Sequence, residues 1–158
     1  MRFKPLVVAV LATAALVVPV ATARADTLTA TLDDQPISLS QAAESSCHDF
    51  EYPLIRCFRS TEDLLVAIDA TQGLATGYVI VWADATFDGA SMSLSRNYAY
   101  LNDIGWNDRI SSFRSYGASG RFLEHSPGSG FIYTYAGSAY VTYVGNTYND
   151  KFSAFEIN

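Results

Sequence analysis

Three kinds of hydrophobic pattern follow one another along this chain. Leu6 to Val20 is an almost uninterrupted apolar run. Thr27 to Leu32 alternates instead, with Leu28, Ala30 and Leu32 on one face and threonines on the other, the two-residue period of a strand. Asp33-Asp34-Gln35-Pro36 reads as a turn and Ile37-Ser38-Leu39 as the returning strand. Gln41 to Arg59 has neither period and is read as irregular, with Cys47 and Cys57 on either side of Pro53. Ser60 ahead of Thr61-Glu62-Asp63 is a helix cap with an acid three residues on. Leu64, Leu65 and Ile68 form that helix's apolar face, and Gly73 ends it. From Tyr78 onward the third pattern takes over. Val79–Trp82, Phe131–Tyr135 and Tyr140–Val144 have strand composition. Gly89, Gly105, Gly117, Gly120, Gly130, Gly137 and Gly145 punctuate this region at turn-like intervals. Short strands at such spacing predict a sandwich or barrel, so the fold class is all-β with a short mixed α/β extension before it.

The ends of the first apolar run change its meaning. Arg2 and Lys4 precede it and Ala23-Arg24-Ala25 follows it, the form of a secretory signal and its cleavage site. The run is short for a membrane span, and Pro19 interrupts its end. Residues 1–25 are therefore read as a signal peptide, 26–77 as the extension and 78–158 as the β domain of a secreted, extracellular protein. About 133 residues remain after cleavage, enough for one domain with a respectable core. Removing Arg2, Lys4 and Arg24 leaves seven basic residues against sixteen acidic, a net charge of −9. An acidic chain without a basic patch argues against nucleic acid and anionic membranes as partners. It suits cation binding, and it equally serves to keep a secreted monomer soluble. In an oxidising compartment Cys47 and Cys57 are expected to pair, a cross-link contributing roughly 2–3 kcal/mol. A reactive or metal-bound cysteine is the alternative, with only His48 and His125 to support it.

Within the β region one unit is written twice. Trp106-Asn107-Asp108-Arg109-Ile110-Ser111-Ser112-Phe113 aligns with Tyr148-Asn149-Asp150-Lys151-Phe152-Ser153-Ala154-Phe155, 42 residues further on. Each copy has an upstream segment. Trp82, Phe87 and Gly89 suggest a hairpin folded over by an aromatic, and Leu123, Gly128 and Gly130 stand in the corresponding places. The second hairpin has lost its aromatics and kept its last glycine. Carboxylate, hydroxyl, amide and carbonyl oxygens of the Asn-Asp-x-x-Ser segments are the hard ligands that calcium takes, and an Asp and a Ser three apart on a turn can converge on one ion. One carboxylate per loop implies modest affinity, roughly micromolar to millimolar. The same residues also make a self-hydrogen-bonded turn that needs no metal. Trp106 and Tyr148 are read as core packing, with sugar stacking as the alternative.

Catalytic signatures are missing from the sequence. It has no Gly-x-Ser-x-Gly, His-Glu-x-x-His or phosphate loop. Glu124 and His125 are neighbours on a strand, where alternation sends side chains to opposite faces, so they make a poor catalytic pair. His48 beside a bridged Cys47 has no thiol to activate. The chain is read as a non-enzyme with no catalytic residues.

The duplicated segments carry a resemblance. They are similar to the calcium-binding signature of the βγ-crystallin superfamily, Asn/Asp-Asn/Asp-x-x-Ser/Thr-Ser. Asn107-Asp108-Arg109-Ile110-Ser111-Ser112 matches at every defined position, and Asn149-Asp150-Lys151-Phe152-Ser153-Ala154 departs only at Ala154. The resemblance implies a double Greek-key β-sandwich over residues 78–158. It also implies Ca2+ as cofactor, bound crosswise by Asp108, Ser111, Asp150 and Ser153 with Asn107 and Asn149 in support, the second site being the weaker. On the same fold it leaves two alternatives. One is an inhibitor of an extracellular protease, similar to the Streptomyces metalloproteinase inhibitor family, whose disulfide bracing is missing from this β domain. The other is a small antimicrobial toxin. For the extension three roles stay open: cover for a sheet edge, a separate binding surface, or a folding aid.

Overall fold

A computed structural model describes residues 27–71, 77–127 and 129–158. The expected signal segment, Gly73 at the expected helix end and Gly128 lie outside the described residues. Strand β1 (Thr29–Leu32) and strand β2 (Gln35–Ile37) form the expected hairpin, but the return comes earlier than expected: Gln35 and Pro36 already pair with β1, and Ser38 and Leu39 start a helix. Asp33 and Asp34 join them at φ of 50° and 62°, the left-handed conformation that matches hairpin twist. Arg59 and Arg56 hold these acids at 2.6 and 2.5 Å.

The stretch read as irregular is ordered. Helix α1 (Leu39–Ala42), capped reciprocally by Ser38 and Gln41, leads into strands β3 (Ser46–Glu51) and β4 (Leu54–Phe58). Cys47 and Cys57 face each other across this antiparallel pair and are bridged. No alternation marked β3 because Ser46, Cys47, His48 and Asp49 are all buried, polar residues included. Asp49 accepts from Ser95 N at 2.9 Å, Ser95 Oγ at 2.7 Å and Tyr98 OH at 2.8 Å. Burial pushes its carboxyl above the usual range while those donors pull it back.

Helix α2 (Thr61–Ala70) starts as expected, with Ser60 Oγ accepting from Asp63 N at 3.1 Å. Its buried stripe is narrower than expected. Leu64 and Ile68 are buried against Ile80 and Trp82, but Leu65 is 40% exposed, since it stands about 100° round the helix from Leu64.

The remaining strands are β5 (Tyr78–Trp82), β6 (Ser91–Leu94), β7 (Ser112–Tyr116), β8 (Gly120–His125), β9 (Ser129–Tyr135), β10 (Tyr140–Val141) and β11 (Ala154–Ile157). β10 stops short of the expected Val144 because the chain leaves the ladder to bind loops. The Thr142 carbonyl accepts from Thr86 N at 2.7 Å, and Val144 N donates to Ser111 O at 2.9 Å. The sheets run β10-β7-β5-β6-β3-β4-β1-β2 and β11-β8-β9. Each half lends a segment to the other's sheet: β10 pairs with β7, and Tyr98 bridges Phe155. This exchange is the double Greek key. The register bears out the alignment of the two hairpins, since Trp82 lies opposite Ser112 and Leu123 opposite Ala154. Trp106, Phe113, Phe122, Phe152 and Phe155 fill the space between the sheets. The extension occupies the β6 edge through parallel pairing of β3, Ser46 opposite Ser91.

Candidate functional site

The two repeated loops share one conformation. Asp108 and Asp150 both have φ of 54°, a left-handed value that aspartate tolerates. In each, the preceding asparagine Nδ2 donates to the Asp Oδ2 at 2.7 Å. Trp106 anchors the first loop in the core at 1% exposure, which leaves no face for a sugar. Tyr148 anchors the second, half-buried against Phe131 and Tyr133.

Convergence is between loops, not within one. Asp108 N donates to Phe152 O at 2.9 Å, and Ser153 Oγ donates to Asp108 Oδ1 at 3.4 Å across 45 residues of chain. Ser111, three residues from Asp108, is buried and tied by its backbone to Trp82 and Val144. Among the described residues Asp150 and Ser111 make no matching hydrogen bond. Asp108 of the first repeat and Ser153 of the second are therefore the pair that meets.

The final serine of the first copy has a structural role. Ser112 Oγ donates to Asp84 O at 2.6 Å and accepts from Phe87 N at 3.1 Å, which pins the first hairpin. Ala154 lacks that hydroxyl, and in the second half Ser126 Oγ donates to Ser153 O at 2.7 Å. Ala154 thus lacks the hairpin anchor that Ser112 supplies in the first half.

Asp108, Ser153 and Asp150 open into one cleft of about 180 Å³, which Glu124, His125 and Lys151 also line. The motif gave no sign of these last three residues as cleft lining. Strand alternation would have parted Glu124 from His125, but a register shift between Leu123 and His125 brings His125 Nε2 to 3.8 Å from Glu124 Oε2. Arg109, the basic residue of the first loop, is engaged elsewhere, at 3.0 Å from Glu44 of the extension and 5.4 Å above Trp106. Its counterpart Lys151 faces the cleft and offsets part of the acidic charge.

The donor set suits a hard cation. The cleft carries carboxylates and a hydroxyl, and in the second loop the Asn149 Oδ1 oxygen is buried without a hydrogen-bond partner. Among the described residues no three His, Cys, Asp or Glu side chains form a cage by themselves. Hydroxyl, amide and carbonyl oxygens would have to complete the shell, as they do for calcium.

Comparison with solved structures places this architecture. A double mutant of a βγ-crystallin domain from Clostridium beijerinckii is 31% identical, over 51% of this chain and 94% of that one, with a TM-score of 0.45. Another structure of that domain is 29% identical over 51% and 95%, also at 0.45. A structure concerned with the evolution of the eye-lens βγ-crystallin domain fold is 22% identical over 53% and 87%, at 0.50, and shares the fold. No family model and no curated protein matches the chain. With 31% identity across nearly the whole of a βγ-crystallin domain, the chain belongs to the βγ-crystallin superfamily.

Proposed function

We propose that this protein is a secreted, non-enzymatic calcium-binding module in which the ion ties the two repeats together and stabilises the sandwich. The observation that carries the reading is the meeting of Asp108 and Ser153 at 3.4 Å, one from each repeat, in a cleft shared with Asp150 and Glu124. Asp108 and Asp150 would hold the ion by charge, Ser153 by its hydroxyl and Asn149 by its unpaired oxygen. Asn107 and Ser111 would keep the loops in shape. A bound divalent cation supplies a charge that both repeats share, so it favours the folded state over the unfolded one. At one hundred times the dissociation constant that linkage amounts to about 2.7 kcal/mol.

Calorimetric calcium titration, paired with melting curves, tests this on the wild type, Asp108→Ala and Asp150→Ala. The wild type is expected to release or absorb heat and to melt several degrees higher in millimolar calcium. Asp108→Ala should lose more of both effects than Asp150→Ala, because only Asp108 meets its crosswise serine. A wild type with no heat and no melting shift at millimolar calcium would end the proposal.

A further inference from the structure

The residue after the loop aspartate is basic in both repeats, Arg109 and Lys151, yet the two side chains are engaged differently. Arg109 turns toward the extension. It lies 3.0 Å from Glu44, donates to the Gly105 carbonyl at 3.3 Å and stands 5.4 Å above Trp106. Arg56, Arg59 and Arg121 are likewise held by acids, and Arg96 and Arg114 lie over tyrosine rings. Lys151 is the one lysine of the chain besides Lys4. Among the described residues it forms no ion pair with any single acid, and it lines the cleft. Its Nζ stands 6.0 Å from the Phe131 ring, and the Phe131 backbone N donates to Glu124 Oε2 at 3.2 Å. The cleft thus sets three carboxylates, of Asp108, Glu124 and Asp150, against one ammonium. Counting His125 as neutral, three negative charges and one positive leave −2, where −3 would stand without Lys151.

A charge in that position acts in two directions. Carboxylates brought together repel one another, and an ammonium among them relieves the repulsion without taking up their oxygens. The same ammonium repels an incoming divalent ion, twice as strongly as it would a monovalent one. Calcium affinity follows the charge count of its site, so the net −2 lowers it. Lysine suits both tasks. Its ammonium is a compact, well-hydrated point charge on a flexible stem, which withdraws into water at little cost. A guanidinium forked onto a carboxylate would have paired hydrogen bonds to break first.

We propose that Lys151 is the built-in counter-ion of the cleft, stabilising the calcium-free protein and weakening calcium binding through one and the same charge. This rests on the calcium reading and adds to it the residue that sets the affinity. Arg109 does not share the role, because Glu44 already meets its charge. Through Glu44 the extension leaves one of the two repeat bases to face the ion.

Calorimetric calcium titration and melting curves of the wild type, Lys151→Met, Lys151→Arg and Arg109→Met test the proposal. Lys151→Met is expected to bind calcium about three- to tenfold more tightly at low ionic strength, the gain shrinking in about 0.5 M salt. In calcium-free buffer the same variant should melt about 1–3 °C lower than the wild type. Lys151→Arg keeps the charge and should bind no more tightly than the wild type. Arg109→Met should stay within about twofold, its charge being met already. If Lys151→Met folds poorly, Lys151→Gln repeats both measurements. Unchanged affinity in the folded neutral variant overturns the proposal and leaves calcium binding standing. So does an equal gain in Lys151→Arg or Arg109→Met, a gain indifferent to salt, or a calcium-free melting point that rises. If neither the wild type nor Lys151→Met binds millimolar calcium, the calcium reading itself fails and the affinity-setting role falls with it.

Discussion

At the scale of single residues, His48 sets an acid limit on the fold. Its ring is buried, 4.8 Å from Phe50 and 5.7 Å from Phe58, and burial lowers its pKa from 6.5 to about 4, with Glu51 opposing and Arg56 assisting. A depressed histidine pKa means that the unfolded chain takes up the proton first. Stability is therefore complete above about pH 6.5 and falls as pH drops toward 4, by about 2 kcal/mol between pH 7 and pH 5. Asp49 next to it works in the other sense. Its raised pKa means that its contribution is present in acid and lost as pH rises through the folded value. Melting curves at pH 7 and pH 5 should show the wild type losing stability and His48→Gln losing much less; equal losses would remove His48 as the cause. The candidate ligands were legible at this scale, because Asn-Asp-x-x-Ser is local chemistry. The cleft lining by Glu124, His125 and Lys151 was not, since it depends on a bulge and on which loop faces which.

Among the elements, the β3–β4 hairpin was the least visible in the sequence and is among the most consequential. Its strands escaped the periodicity rule for the same reason that they matter: β3 is flanked by strands on both sides and buries its polar residues with their partners. The helix was legible from Ser60 and Asp63, whose capping is local, while the width of its buried stripe depended on how it lies on the sheet. Cys47 and Cys57 join strands whose own pairing spans ten residues, so their bridge restricts a short loop of the unfolded chain. Reduction without mutation should lower stability by about 2–3 kcal/mol, read as an earlier urea midpoint. An unchanged midpoint in protein shown to carry free thiols would contradict this.

Over the whole molecule, the duplication was readable as an arithmetic repeat, and the register of β5 with β7 and β8 with β11 follows it closely. What no repeat could announce is that the halves have different surroundings: among the described residues the extension pairs with β6, while β9 ends its sheet. The extension thus supplies cover for a sheet edge, the first of the three roles left open by its sequence. That arrangement also orders events in time. β3 leaves the ribosome well before the strand it docks against, and Ser46 lies 45 positions ahead of Ser91. Closing so long a loop is entropically slower than zipping β3 to β4 or β5 to β6. The first-made segment must therefore wait for the later one. In pulsed hydrogen exchange during refolding, amides bonded between β3 and β6 should gain protection after those between β5 and β6, and simultaneous protection would refute that order. A chain interrupted before β6 would be left holding a finished hairpin with nowhere to dock.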